Sequence, residues 1–136
     1  MLRQPHVALV TEDGTQAKAI EDLLRNYVVL AQARGVSDLP ELLRTREFDA
    51  LFCGQFVRGG SWKDALEAIR THKLDLPVIV LSRTGGEKEW VEVIEAGAFD
   101  LLVPPFGTRQ LLSVMEHAAE SENAKRGQGR TFRVVA

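Results

Sequence analysis

The segment Phe48-Asp49-Ala50-Leu51-Phe52-Cys53-Gly54 constrains this chain most. It is a short apolar run between polar and glycine-rich sequence, and its apolar residues do not alternate with polar ones. That pattern suits a strand buried on both faces of a sheet. Helix-like segments lie on either side of it, so it reads as the middle strand of an alternating α/β domain. Ligands and chemistry in such domains gather at the carboxyl ends of the strands. Gly54 holds that end here and brings no side chain to it.

The rest of the chain repeats the alternation. His6–Val10 predicts a first strand, and Thr11-Glu12-Asp13-Gly14 a loop after it. Ala17, Ile20, Leu23 and Leu24 give a helix over about Thr15–Arg25 one apolar face. Asp13 and Gln16 have capping-box spacing, which would start that helix a turn earlier. Tyr27–Ala31 predicts the second strand. Ser37 is placed to cap a second helix reaching Arg44, with Pro40 tolerated in its first turn. Gln55–Gly60 reads as a loop, and Ser61 with Asp64 opens a third helix whose Trp62 would partly cover that loop. Leu76–Leu81 is the fourth strand. Thr84 and Glu87 match a capping box for a fourth helix ending before Gly97. Phe99–Val103 is the fifth strand, and Thr108–Glu120 the fifth helix.

Five strands alternating with five helices predict a doubly wound, parallel five-stranded sheet. Its order would be 2-1-3-4-5, with helices on both faces. One domain over residues 1–121 is expected, followed by a basic, glycine-containing tail or linker start over 122–136. The net charge of −2 argues against whole-chain attraction to nucleic acid or anionic membrane. No apolar run approaches a membrane span, and Met1–Pro5 leads into a strand without a signal-peptide core. Cys53 is the single cysteine and reads as a packed core thiol. A cytoplasmic protein is the simplest expectation.

At the carboxyl edge this order collects Thr11-Glu12-Asp13, Gly54, Ser82 and Pro104. Phe48-Asp49-Ala50-Leu51, Pro77-Val78-Ile79-Val80-Leu81-Ser82, and the stretch from Ala96 to Phe106 stand in a telling order and separation. On these segments the chain resembles the response-regulator receiver domains of bacterial two-component signalling, over about Val7–Ala119. The resemblance implies a flavodoxin-like fold and a phosphotransfer pocket. It implies an acidic pair holding a divalent metal, an aspartate acceptor, a hydroxyl, a lysine and an aromatic switch residue.

Carried onto this sequence, the acidic pair falls on Thr11 and Glu12, with Asp13 next along. The acceptor position is Gly54, the hydroxyl Ser82, the lysine position Pro104 and the aromatic position Leu101. Four of these depart from the pattern. Glycine has no oxygen nucleophile, proline has no charge to set against a phosphoryl group, and leucine has no ring. Glu12 and Asp13 are a weak metal remnant, so Mg²⁺ and other cofactors are not expected. Asp49 opens its strand, so it should lie at the opposite sheet edge from Ser82. A cis peptide at Pro104-Pro105 is implied by the resemblance.

The expected function is therefore a degenerate receiver that is not phosphorylated and is not an enzyme. It would act through a protein partner or as a homodimer, using its fourth-helix, fifth-strand and fifth-helix face. Trp90, with Val93, is the candidate contact, because Val91 and Ile94 are better placed to pack on the sheet. Two other readings stand beside it. One is a flavodoxin-like module that binds a nucleotide or flavin phosphate through backbone amides around Thr11, Gly14 and Thr15. The other is the amino-terminal regulatory domain of a longer regulator.

Overall fold

A computed structural model describes residues 4–126. Five parallel strands form one sheet. They are β1 (His6–Val10), β2 (Val29–Ala33), β3 (Ala50–Gly54), β6 (Val78–Leu81) and β7 (Asp100–Leu102), in the order β2-β1-β3-β6-β7. Counted along this sheet alone, that is the expected 2-1-3-4-5 winding. The remaining two strands, β4 (Phe56–Val57) and β5 (Gly60–Ser61), pair antiparallel as a small hairpin. The sequence predicts only a loop over this segment, because strands of two residues carry no periodicity.

Strand geometry sends successive side chains to opposite faces, and the core divides accordingly. Ala8, Val10, Leu51, Cys53, Val78 and Val80 pack on one side against α2 (Leu39–Arg44), α3 (Trp62–Thr71) and α4 (Glu87–Glu95). Val7, Leu9, Phe52, Ile79 and Leu81 pack on the other, against α1 (Gly14–Leu24) and α5 (Thr108–Arg126). Residues such as Phe52, Leu9 and Ile79 are fully buried, and each contributes about 1.5–3 kcal/mol relative to exposure. Polar alternation is absent because both faces are covered.

Local chemistry moves several boundaries. β2 starts two residues later than expected because Tyr27 and Val28 donate their amides back to Leu24 O at the end of α1. α2 starts at Leu39 with Asp38 in the capping position and no side-chain cap, so Ser37 does not cap it. Ser61 and Asp64 open α3 as expected, and they do so as a capping box; Trp62 is buried beneath the hairpin. Thr84 caps nothing: Gly86 is the N-cap of α4, without a side-chain bond. The Pro104-Pro105 peptide is cis, as implied. α5 continues to Arg126, beyond the expected end at Glu120 and into the segment assigned to the tail. Residues 127–136 of that tail lie outside the described residues. No helix among the described residues is long and apolar enough to cross a membrane.

One interface expectation needs correction. Val93 is fully buried, packed in one cluster with Ala98 and Leu101, so it cannot be a contact residue. α4 docks through Val93 and Ala96, which turns Val91 outward to 38% exposure. Trp90 is 45% exposed, and its indole Nε1 donates to Asp100 Oδ1 at 3.2 Å.

Candidate functional site

The carboxyl edge of the sheet brings Thr11, Glu12, Asp13, Gly54 and Ser82 together, as the strand order requires. Their local bonding leaves little of a receptive pocket. A Cβ built on Gly54 would lie 2.7 Å from Thr11 Cβ and 2.9 Å from Gln16 Oε1, with Thr11 Oγ1 closer still. Carbon atoms in contact sit about 3.5–4.0 Å apart. Thr11 therefore fills the space where an acceptor side chain would begin. Its hydroxyl donates to Gln16 Oε1 at 2.8 Å and accepts from Asp13 N at 3.2 Å. The cavity left between Thr11, Gln16, Gln55, Phe56 and Arg83 measures about 10 Å³, room for one water at most.

Asp13 is fully engaged. Its Oδ1 accepts from Thr15 N at 3.0 Å and Gln16 N at 3.1 Å, which caps α1. Its Oδ2 pairs with Arg83 Nη2 at 2.8 Å. The Gln16 amide holds the carboxyl below its usual range; burial opposes it, and the Arg83 guanidinium and Thr15 amide add to the lowering. Glu12 points to solvent, and only its backbone amide is tied down, to Phe56 O at 3.1 Å. Ser82 is buried, and its Oγ accepts from Thr84 N at 3.3 Å and Gly85 N at 3.0 Å, so it holds its own loop. These donors do not fit a divalent cation. One carboxylate is bonded on both oxygens, one lies in solvent, and the third ligand position is a glycine. No group of three or more potential metal ligands occurs among the described residues.

The remaining positions are as inert. Leu101 is packed in the core beneath α4, and Pro104 is exposed and uncharged. Asp49 sits at the opposite edge, where its Oδ2 accepts from His6 N at 2.9 Å. Burial pushes the Cys53 thiol up to about 12, which leaves it protonated and unreactive. The amides suggested as a phosphate cradle at Thr15 are already taken by Asp13. The sequence reading missed Arg83 and Gln16 as site residues. The signal for Arg83 was a cation directly after Ser82, at the edge where a lysine is lost. Gln16 was read as half of a capping box, but it turns to Thr11 instead.

The receiver-domain model of response regulators matches residues 7–116. The chain belongs to the response-regulator receiver family. Among curated relatives, the response regulator protein FleR of Pseudomonas aeruginosa is 31% identical over 115 residues, 83% of this chain and 24% of FleR. Protein PetR of Rhodobacter capsulatus is 28% identical over 109 residues, 79% of this chain and 46% of PetR. The chain thus spans less than half the length of these relatives. Two solved structures share the fold. A Francisella response regulator 1452 receiver domain superposes with a TM-score of 0.74 at 20% identity, covering 86% of this chain and 98% of that one. A beryllofluoride-activated NtrC4 receiver domain dimer gives 0.74 at 19% identity, covering 86% and 98%. The receiver fold is thus intact, while the pocket its relatives are expected to use is closed from within.

Proposed function

We propose that this receiver works without taking up a phosphoryl group, as a binding module in a two-component system. Its output is a contact with a protein partner or with a second copy of itself. The observation that carries the reading is the position of Thr11, whose Cβ and hydroxyl occupy the space beside Gly54 where an acceptor carboxylate would stand. Phosphotransfer needs an oxygen nucleophile there, and a countercharge where Pro104 stands.

The α4–β7–α5 side supports the contact role. Trp90, Val91 and Val103 are large apolar side chains at 45%, 38% and 39% exposure on that side. Aromatic residues are enriched where interfaces concentrate their binding energy. The Asp100 bond holds the indole of Trp90 in one orientation, which lowers the entropy lost on docking. A solved neighbour of this fold is a receiver dimer. The short span relative to FleR and PetR also fits a regulatory piece of a longer regulator, with the same face turned toward an output domain.

Incubation with Mg²⁺ and a small acyl phosphate, followed by intact-mass spectrometry, should add no phosphate. A stable adduct on an aspartate would overturn the reading. Light scattering should report self-association that Trp90→Ala weakens. A clean monomer at high concentration would remove the dimer and leave only a heterologous partner for that face.

A further inference from the structure

Adjoining the closed pocket, and sharing Thr11, Glu12, Asp13 and Arg83 with it, an open groove of about 810 Å³ lies on the β2 side of the same sheet edge. Its size is in the range of small-molecule sites, about 300–1,000 Å³. Arg34, Arg58 and Arg83 line it, together with Glu12, Asp13 and the first turn of α1. Asp13 and Arg83 neutralise each other at 2.8 Å. Arg34 and Arg58 are exposed, and among the described residues neither has an ion-pair partner. In a chain of net charge −2 this is a local concentration of cationic charge.

The two arginines are brought together by construction. Gly35 makes an isolated parallel bridge with Arg58, and Val36 N donates to Arg58 O at 3.0 Å. A Cβ on Gly35 would come within 2.7 Å of Arg58 Cβ, so the close approach depends on glycine. The β4–β5 hairpin, which is anchored to Glu12 N through Phe56 O, carries Arg58 in its turn. Backbone bonding therefore sets Arg34 and Arg58 side by side at the groove.

We propose that this groove binds a compact phosphate-bearing polyanion through Arg34 and Arg58. Guanidinium forks match phosphate oxygens in geometry and charge. The lining offers little to a ligand recognised by apolar or stacking contacts. Its only apolar side chains are Ala17 and Ala33, and it holds no aromatic ring. A peptide would lack hydrophobic anchors there, and a nucleobase would have nothing to stack on. The phosphate chain is what is read, whether it comes as inorganic polyphosphate or as the tail of a nucleotide. Glu12 is the one unneutralised anion on the rim and sets a ceiling on affinity. Neither Gly54 nor Ser82 lines the groove, so phosphate binding here is distinguishable from phosphorylation at the pocket.

The test is a titration of the whole chain at low ionic strength, followed by calorimetry and by ¹H–¹⁵N NMR. The probes are tripolyphosphate, ATP and adenosine. Tripolyphosphate and ATP should bind with affinities within a few-fold of each other, and adenosine should not bind. Amide shifts should centre on Gly14, Arg34, Gly35 and Arg58. The double variant Arg34→Gln/Arg58→Gln should weaken tripolyphosphate about tenfold, and Glu12→Gln should tighten it about threefold, the scale of exposed charge contacts. Both variants alter exposed side chains, and circular dichroism checks that they fold. No binding at millimolar tripolyphosphate would overturn the site. So would binding that survives the double variant, or shifts confined to the basic residues of the carboxyl-terminal tail. ATP bound far more tightly than tripolyphosphate would refute selection of the phosphate chain.

Discussion

Gly54→Ala tests the closed pocket with a single methyl group. The new Cβ would meet Thr11 Cβ at 2.7 Å and Gln16 Oε1 at 2.9 Å. Both Cβ atoms are fixed by backbone, so the ends of β1 and β3 must part by several tenths of an ångström. Forced overpacking of this kind costs about 1–3 kcal/mol. Replacing glycine within a strand recovers about 0.5–1 kcal/mol of backbone entropy. The difference spans about 0–2.5 kcal/mol, and a 2.7 Å approach between two backbone-fixed Cβ atoms puts the expectation in its upper part, a loss of about 1–2 kcal/mol. In urea, with a slope of about 2 kcal/mol per molar, the midpoint should fall by roughly 0.5–1 M. Tm should fall by about 3–6 °C. Gly14→Ala is the control, because a Cβ there meets nothing within 4 Å; it should be neutral or stabilising. The background Thr11→Gly removes the obstruction, and in it the cost of Gly54→Ala should vanish. A Gly54→Ala protein as stable as the parent would show that the space beside Gly54 is open, and would refute the plug. Gly54→Asp should be less stable still and should take up no phosphate, since Asp13 remains bound to Arg83 and Pro104 supplies no cation.

Asp13 links stability to acid. Its folded carboxyl lies below the unfolded value of 3.8, chiefly through the Gln16 amide. Its contribution is therefore complete above about pH 4 and is lost as pH falls through the folded value. Asp13→Asn keeps the cap but not the charge, so its urea midpoint should fall less between pH 4 and 2.5; an unchanged acid profile would contradict the assignment. Asp49→Ala leaves the His6 amide without its acceptor and should cost about 1–3 kcal/mol in urea unfolding, with no effect on phosphate uptake. Cys53 is fully buried, with its thiol pushed up to about 12. It should react with a disulfide reagent at pH 8 only when urea unfolds the chain; rapid labelling of the folded protein would show that the strand opens locally.

How much of this was legible depended on the scale of the feature. The sheet order followed from unbroken apolar runs at crossover spacing, because burial on both faces leaves that trace in any register. The closed pocket was half visible. Gly54, Leu101 and Pro104 announce missing groups in the letters themselves. That Thr11 fills the gap could not be read, because it depends on how closely the two strand ends converge. Two expected helix starts failed because the hydroxyl residue does not occupy the N-cap position. Thr84 sits in a turn tied by Ser82 Oγ, and Ser37 stands one residue before the position that α2 uses. The orientation of α4 was misjudged because Trp90 and Val93 share a face at three-residue spacing, yet only Val93 reaches the sheet. The β4–β5 hairpin has two-residue strands, too short for any alternation to register.

The residues at the carboxyl edge constrain one another electrostatically. Three carboxylates converging on one site repel unless a cation sits among them. Remove the acid at position 54, and a divalent ion no longer has its ligands. The acids beside it then need another countercharge or must go. In this chain Thr11 is neutral, Glu12 faces water, and Arg83 sits on Asp13 at 2.8 Å. A lysine at position 104 would have no partner left to meet, and Pro104 adds no charge. The edge is thus a closed electrostatic set, with each remaining charge already paired or solvated. Restoring any one of the lost groups alone introduces an unpaired charge or a clash. That asymmetry is why a single reversion should lower stability without giving phosphotransfer, and it is on this ground that the exposed Trp90 face and the arginine groove are proposed as binding surfaces.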